Sequence, residues 1–387
     1  MARFGDGLAT GTDLVSAAER AVAQAKTYLD APPDLVCIFV SGSDADEVAL
    51  AGQRAMALSG DAVTIGCSST GVIGSGRGVQ DQGAVSVWAA VLPEVTMTPF
   101  RLETLAEEDR VAVVGLAEPA ASDRAVLLLA DPYTFPTQAF VRTSAEVLGK
   151  LPLVGGLADA AGGRADVRMF FLGETVTNGA VGILLGGAGV LGAAVSQGCS
   201  PIGPAVAVTK SEDNVLLEIA GTPAYTKLEQ IVGSLPPQYQ DLVTEGLQVG
   251  VAMDEYADSH ERGDFLIRGI LGADPDAGSI LIGEAVEVGQ TLRFHVRDRD
   301  TAEKDLIDRM ETFADETEGR AAAALLFSCN SRGSAMFATA DHDVQGVRRV
   351  LGVDPVGGFF AGGELGPVAG RNYVHGFTAC VLAFADE

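Results

Sequence analysis

The chain has 387 residues, enough for two or three domains with full cores, and 47% of them are hydrophobic, which excludes wholesale disorder. Its 52 Asp and Glu against 26 Lys and Arg leave a net charge of −26, which excludes polyanionic partners: phosphate backbones and anionic membranes attract basic patches, and this surface repels both. Five isolated cysteines without a C-x-x-C pair encode neither a disulfide framework nor a zinc site, and no apolar run reaches the roughly 18 residues of a membrane helix.

In chain order, "TDLVSAAERAVAQAKTYLD" predicts a helix opened by Thr12, with an apolar stripe at Leu14, Ala18, Val22, Ala25 and Leu29. "LVCIFVSG" reads as a strand covered on both faces. A capped helix follows from Asp44 to Leu58, then "AVTIGCSSTGVIGSG", a strand breaking into glycines, and the strand "GAVSVWAAVL". The order recurs in "AVLLLADPYTF", "PTQAFVRTSAEVLGK", "LPLVGGLADAAGG" and "GAVGILLGG". It recurs again in "AAALLFSCNSRG", a helix around Gln345–Leu351, "PVGGFFAGGELGP" and "HGFTACVLAF". Matching Ile38 with Gly66, Leu127 with Gly155 and Leu326 with Gly357 defines three copies of one unit. The run 179–195 reads as a hairpin. Between the second and third copies, 236–256 reads as polar and irregular, 264–283 as a hairpin over "ADPDAG", "QTLRFHVRD" as a half-buried strand, and 301–319 as an acidic helix. The fold class is therefore α/β to α+β, with mixed sheets built from repeated strand–helix–strand–Gly-loop–strand units in two domains.

Each glycine loop follows a buried strand, where open α/β sheets bind ligands. The loops carry Cys67, Ser68 and Ser69 in the first copy, Asp159 in the second and Glu364 in the third. The third opening strand ends in Asn330 and Arg332, so Arg332 and Glu364 are candidates to address both charges of a zwitterion, or to pair with each other. Of four histidines with no metal-ligand spacing, His375 precedes the last strand and is a candidate to face the same pocket. "GSGRG" at 74–78 has the glycines to cradle a phosphate, but without a G-x-x-x-x-G-K-[ST] it reads as a simple turn. No catalytic signature is present; a cysteine nucleophile would be Cys67 or Cys199, both read as loop residues.

Six segments in order, "GCSSTGVIG" (66–74), "VGGLAD" (154–159), "QGCSPIG" (197–203), "SCNSRG" (328–333), "GGFFAGGELGP" (357–367) and "HGFT" (375–378), resemble the FIST family, named for F-box and intracellular signal transduction. The resemblance spans nearly the whole chain and divides it into a FIST N-terminal domain, 1–220, and a FIST C-terminal domain, 221–387. It implies a sensory module that binds a small polar ligand, amino acids among the suggestions, while some relatives are haem-containing nitric oxide sensors. The chain leaves no room for a kinase, cyclase or F-box, so signalling would pass through a protein partner. Without a signal peptide, the expected location is cytoplasmic. The alternatives are a haem-binding gas sensor or a cysteine-dependent enzyme on the same cleft.

Overall fold

In the computed structural model, which describes residues 1–107, 110–257, 260 and 263–386, β1 (Arg3–Thr10) leads through α1 (Leu14–Lys26) to β2 (Leu35–Ser41). Helix α1 starts one position later than expected, because Asp13 caps it through the Ser16 N–H. Every residue of β2 is buried, as its continuous apolar run requires. Asp44 caps α2 (Ala45–Leu58) by accepting from the N–H groups of Asp46 and Glu47. Strand β3 (Val63–Ser69) lies parallel to β2. The hairpin of β4 (Gly71–Gly74) and β5 (Arg77–Gln80) turns on Ser75 and Gly76, whose φ of 50° and 69° fit a two-residue turn. Strand β6 (Ala84–Val91) returns antiparallel to both β2 and β1.

The second copy opens with the pair β7 (Thr96–Glu107) and β8 (Arg110–Val114). There follow β9 (Asp123–Ala130), α3 (Thr137–Thr143), α4 (Ala145–Leu148) and β10 (Leu153–Leu157), the last parallel to β9. After β11 (Met169–Phe171) and β12 (Glu174–Val176), β13 (Ala180–Gly186) returns antiparallel to β9 and β7. Strand β14 (Val190–Gln197) follows.

The chain divides into two compact units, Met1–Ser196 with Leu306–Glu387, and Gln197–Asp305. The second holds β15 (Cys199–Glu212), β16 (Val215–Ile219), β17 (Thr222–Pro223), α5 (Ala224–Gly233), α6 (Pro237–Gly246), β18 (Leu247–Ala252), β19 (Phe265–Asp274), β20 (Ser279–Ile282) and β21 (Thr291–Arg297). The order β15-β21-β18-β19-β20-β16, with β16 pairing back to β15, closes an antiparallel barrel around Leu216, Val249, Ile280, Leu292 and Phe294. The expected "ADPDAG" hairpin is β19–β20, with Asp274 opposite Ser279. The stretch expected to be irregular contains α6 instead. Its proline sits in the first turn, where no intrahelical N–H is lost, and Leu242 and Val243 pack on the barrel core. The expected domain boundary at residue 220 falls between β16 and α5.

Helix α7 (Arg299–Glu316) precedes the third copy: β22 (Ala321–Cys329), α8 (Gly333–Met336), α9 (His342–Leu351), β23 (Val356–Ala361), β24 (Glu364–Val368), β25 (Arg371–His375) and β26 (Thr378–Ala385). Strand β23 is parallel to β22, and β26 returns antiparallel to it. The three copies therefore share one topology. The run 179–195 is not a hairpin, because β13 stays beside β9 and β7 while β14 joins β26 in another sheet.

The copies also exchange hairpins in a ring. β4–β5 of the first extends the sheet of the third beside β23; β11–β12 of the second extends the first beside β3; β24–β25 of the third extends the second beside β10. A shared core runs between the sheets, with Phe39 stacked on Phe359 at 5.0 Å and Phe327 edge-on to both.

Register identifies the repeat's fixed point as Gly66 opposite Ile38, Gly155 opposite Leu128 and Gly358 opposite Leu326, one residue away from the spacing read in the second and third copies. A Cβ at any of the three would overlap the carbonyl oxygen of its partner. Gly66→Ala and Gly358→Ala are expected to destabilise the fold by about 2 kcal/mol or more, the usual scale of overpacking. Denaturant unfolding measures this, and losses below about 0.5 kcal/mol, the scatter of neutral surface changes, would show that the backbone yields freely.

Candidate functional site

Strand β22 delivers Ser328 and Cys329, and the chain then turns through Asn330–Arg332 into α8. Gly362 and Gly363 bend β23 into β24, whose first residue is Glu364. It stands opposite Gly156 of β10 and His375 of β25. The position explains the lone carboxylate in a glycine-rich run: Glu364 is fully buried where two copies meet. Its Oε2 accepts from the Thr378 N–H at 3.2 Å and the Thr378 hydroxyl at 2.8 Å. Its Oε1 has no hydrogen-bond partner. Burial pushes the carboxyl up to about 8, against the opposing pull of the Thr378 hydrogen bonds, the Cys329 thiol and the Arg332 charge. Burial thus favours the protonated, uncharged form of this side chain.

Arg332 is also fully buried, but its partner is not Glu364. Its Nε donates to Asp343 Oδ2 at 2.7 Å and its Nη2 to Asp343 Oδ1 at 2.8 Å, a two-pronged fork onto α9. Ser328 Oγ donates to the same carboxylate at 2.6 Å, and His342 Nδ1 lies 2.9 Å from it. Burial alone would raise the Asp343 carboxyl; Arg332 and these hydrogen bonds instead hold it well below the usual carboxylate range. The remaining nitrogen, Nη1, reaches the Phe377 carbonyl at 3.4 Å. Phe377 has φ 63°, a left-handed backbone uncommon for a bulky residue. That bend turns its carbonyl to Arg332 and the next N–H, from Thr378, to Glu364. Strain of this kind persists only where the surroundings over-determine it.

The three glycine loops meet beside this cluster. The Asp159 N–H donates to Ser68 O at 3.2 Å, and Asn330 Nδ2 donates to Asp159 Oδ2 at 3.3 Å, which joins the first loop to the second and the second to the third. Ser68 Oγ accepts from the Arg168 N–H at 2.9 Å. Ser69 Oγ lies 2.6 Å from Gly71 O, within its own turn, and 2.7 Å from Phe360 O of β23 in the third copy. His375 is buried and its Nε2 donates to Gly366 O at 3.0 Å. Cys67 is a buried residue of β3 and Cys199 of β15, so neither occupies the loop position read from sequence. Burial, with the Asp159 charge, raises the Cys67 thiol well above its ordinary value, the reverse of an activated thiolate.

Cys329, Asp343, Phe377 and Thr378 complete the cluster and were not singled out from the sequence. Phe377 and Thr378 lie inside "HGFT", which the family pattern had flagged. Asp343 opens α9 in "DHDV", where an acid reads as ordinary helix-start polarity. Among the described residues no group of three or more His, Cys, Asp or Glu could hold a metal ion, and no helix is long and apolar enough to cross a membrane.

Residues 34–222 match the FIST N domain and residues 224–367 the FIST C domain. "Uncharacterized protein Mb0898c" of Mycobacterium bovis is 38% identical over 387 residues, covering 100% of this chain and 99% of that one. "Uncharacterized protein Rv0628c" of Mycobacterium tuberculosis is 39% identical over 385 residues, covering 99% and 100%. The chain belongs to the FIST family, whose domains are generally sensory, ligand-binding modules.

Proposed function

We propose that this FIST protein is a cytoplasmic small-ligand sensor that acts through a protein partner, and that its small polar ligand, such as an amino acid, binds where the three glycine loops meet. The observation that carries the reading is the Glu364 Oε1 atom, buried and without a partner. Leaving such a group unsatisfied costs about 1–3 kcal/mol, and a polar ligand atom placed there, an acceptor for the protonated acid, recovers it. Half-exposed Asp159 and Asn330 offer an acceptor and a donor nearby, with the exposed Gly362 between the loops. Cys67, Ser68 and Ser69 form the wall from the first copy, and His375 lies opposite Glu364 across the β24–β25 pair. Arg332, forked onto Asp343, contributes charge and the Phe377 carbonyl rather than a free guanidinium. As sequence modules, the N-terminal FIST domain spans 1–220 and the C-terminal one 221–387.

A haem does not fit the residues around Glu364. It needs an axial His, Cys or Tyr facing a large apolar cavity. At the Glu364 cluster the His375 Nε2 is committed to Gly366 O and the Cys67 thiol is buried in β3, so neither offers an axial position there.

Thermal melting with amino acids and small carboxylates tests the proposal. A ligand at a hundredfold excess over its Kd stabilises the native state by about 2.7 kcal/mol, a rise of several degrees. The wild type is expected to respond, while Glu364→Gln and Asn330→Ala lose most of the shift. Equal shifts in all three would place the site elsewhere.

A further inference from the structure

A cavity of about 630 Å³ belongs to the size class of small-molecule sites and shares no residue with the Glu364 cluster. Alternation along β1 explains its floor. Gly5 and Gly7 lie against the backbone of α1, so Phe4, Asp6 and Leu8 take the opposite face. Phe4 closes the apolar end against Trp88 at 5.7 Å and Phe384 at 6.2 Å. The Asp6 carboxylate is fixed by the Ser75 N–H at 2.6 Å, donated from the β4–β5 turn. Burial raises that carboxyl to about 6, against hydrogen bonds from the Ser75 and Val356 backbone and the Arg348 charge. Its cross-strand neighbour Trp88 is fully buried with an indole N–H that has no partner.

Opposite charge surrounds this acid. Arg77 is exposed on β5, and Arg348 is held by Asp354 at 2.5 Å, its own Nε–H buried and unpartnered. A second cavity of about 510 Å³ shares Arg348 and Asp354 and adds Arg349. In a chain with twice as many acids as bases, the recess pairs two arginines, Arg77 and Arg348, with the half-buried Asp6 and with Asp354, and Arg349 lines the adjoining cavity.

We infer that this recess is a second ligand site, for a small organic molecule with an anionic head, carboxylate or phosphate, and an ammonium group a few bonds away. Arg77 and Arg348 take the anion, because guanidinium pairs with planar carboxylates and with phosphates alike. Asp6 takes the ammonium, and the Phe4 wall covers the short carbon stem. The site is independent of the reading placed on Glu364.

Calorimetric titration of the full chain with four probes tests it: β-alanine and O-phosphoethanolamine, which carry both charges, and propionate and methyl phosphate, which carry one. At least one two-charge probe is expected to bind tenfold or more tightly than its partner lacking the amine, and which of the two does so distinguishes carboxylate from phosphate. Asp6→Asn is expected to abolish that tenfold preference, and exposed Arg77→Ala to weaken the preferred probe about tenfold. Glu364→Gln is expected to leave both numbers unchanged, which separates this site from the other. No binding by any probe at 10 mM, or binding unaffected by Asp6→Asn and Arg77→Ala, overturns the inference.

Discussion

Asp343→Ala is expected to destabilise the protein by about 3–5 kcal/mol, because it leaves the Arg332 guanidinium buried without its carboxylate. The side chains of the pair are 0% and 4% exposed, so solvent cannot substitute for the lost partner. Desolvation offsets most of the pair's attraction, so removing both charges is a different experiment from removing one. The double variant Arg332→Met with Asp343→Leu is expected to lose much less than the single variant. Denaturant unfolding of both variants decides the matter. A single variant within about 1 kcal/mol of wild type would mean that water or another acceptor reaches Arg332. A double variant as damaged as the single would give the pair a packing role beyond its charges.

The second large effect is a pH dependence. In the unfolded chain Glu364 titrates near 4.5, while burial raises the folded value to about 8. Between those values the folded protein holds a proton that the unfolded chain has released, so stability falls as pH rises through the window and is fully retained below it. The contribution is at most about 1.4 kcal/mol per pH unit and on the order of 4 kcal/mol across the window. Glu364→Gln is neutral throughout. Its unfolding free energy, measured from pH 4.5 to 8, is expected to gain on the wild type by that amount, other groups cancelling in the difference. Parallel curves would show Glu364 ionised in the folded state, held by a counter-charge closer than Arg332.

The repeat was legible because its signals are local. Buried strands such as "LVCIFVS" are continuous apolar runs, Asp44 announces the start of α2, and a glycine opposite Ile38 is needed wherever a carbonyl crowds the neighbouring strand. Partner choice between strands was not legible. "GAVGILLGGAGVLGAAV" has the pattern of a hairpin, and only tertiary context sends β13 and β14 to different sheets. The same limit governs the candidate site. Glu364 and Arg332 stood out as charges among glycines, yet the acid that holds Arg332 lies on α9, in a segment whose polarity matches any helix start. The Asp6 recess was legible only in "GSGRG", which contributes Ser75 and Arg77 and reads as a turn; its other residues come from three further segments, none unusual alone.

The ring of exchanged hairpins also bears on synthesis. As the chain leaves the ribosome, β4–β5 has no sheet to join until β23 exists: Val72 pairs with Phe359. At about 5–20 residues per second, the roughly 290 intervening residues take on the order of 15–60 s to appear. During that interval the first copy is made but unfinished, with one hairpin unplaced and, until β11 follows about 100 residues later, the edge of β3 open. Strand edges of this kind are templates for pairing with the wrong chain. A nascent molecule is therefore exposed to entanglement with its neighbours on the same message until the last repeat closes the circle.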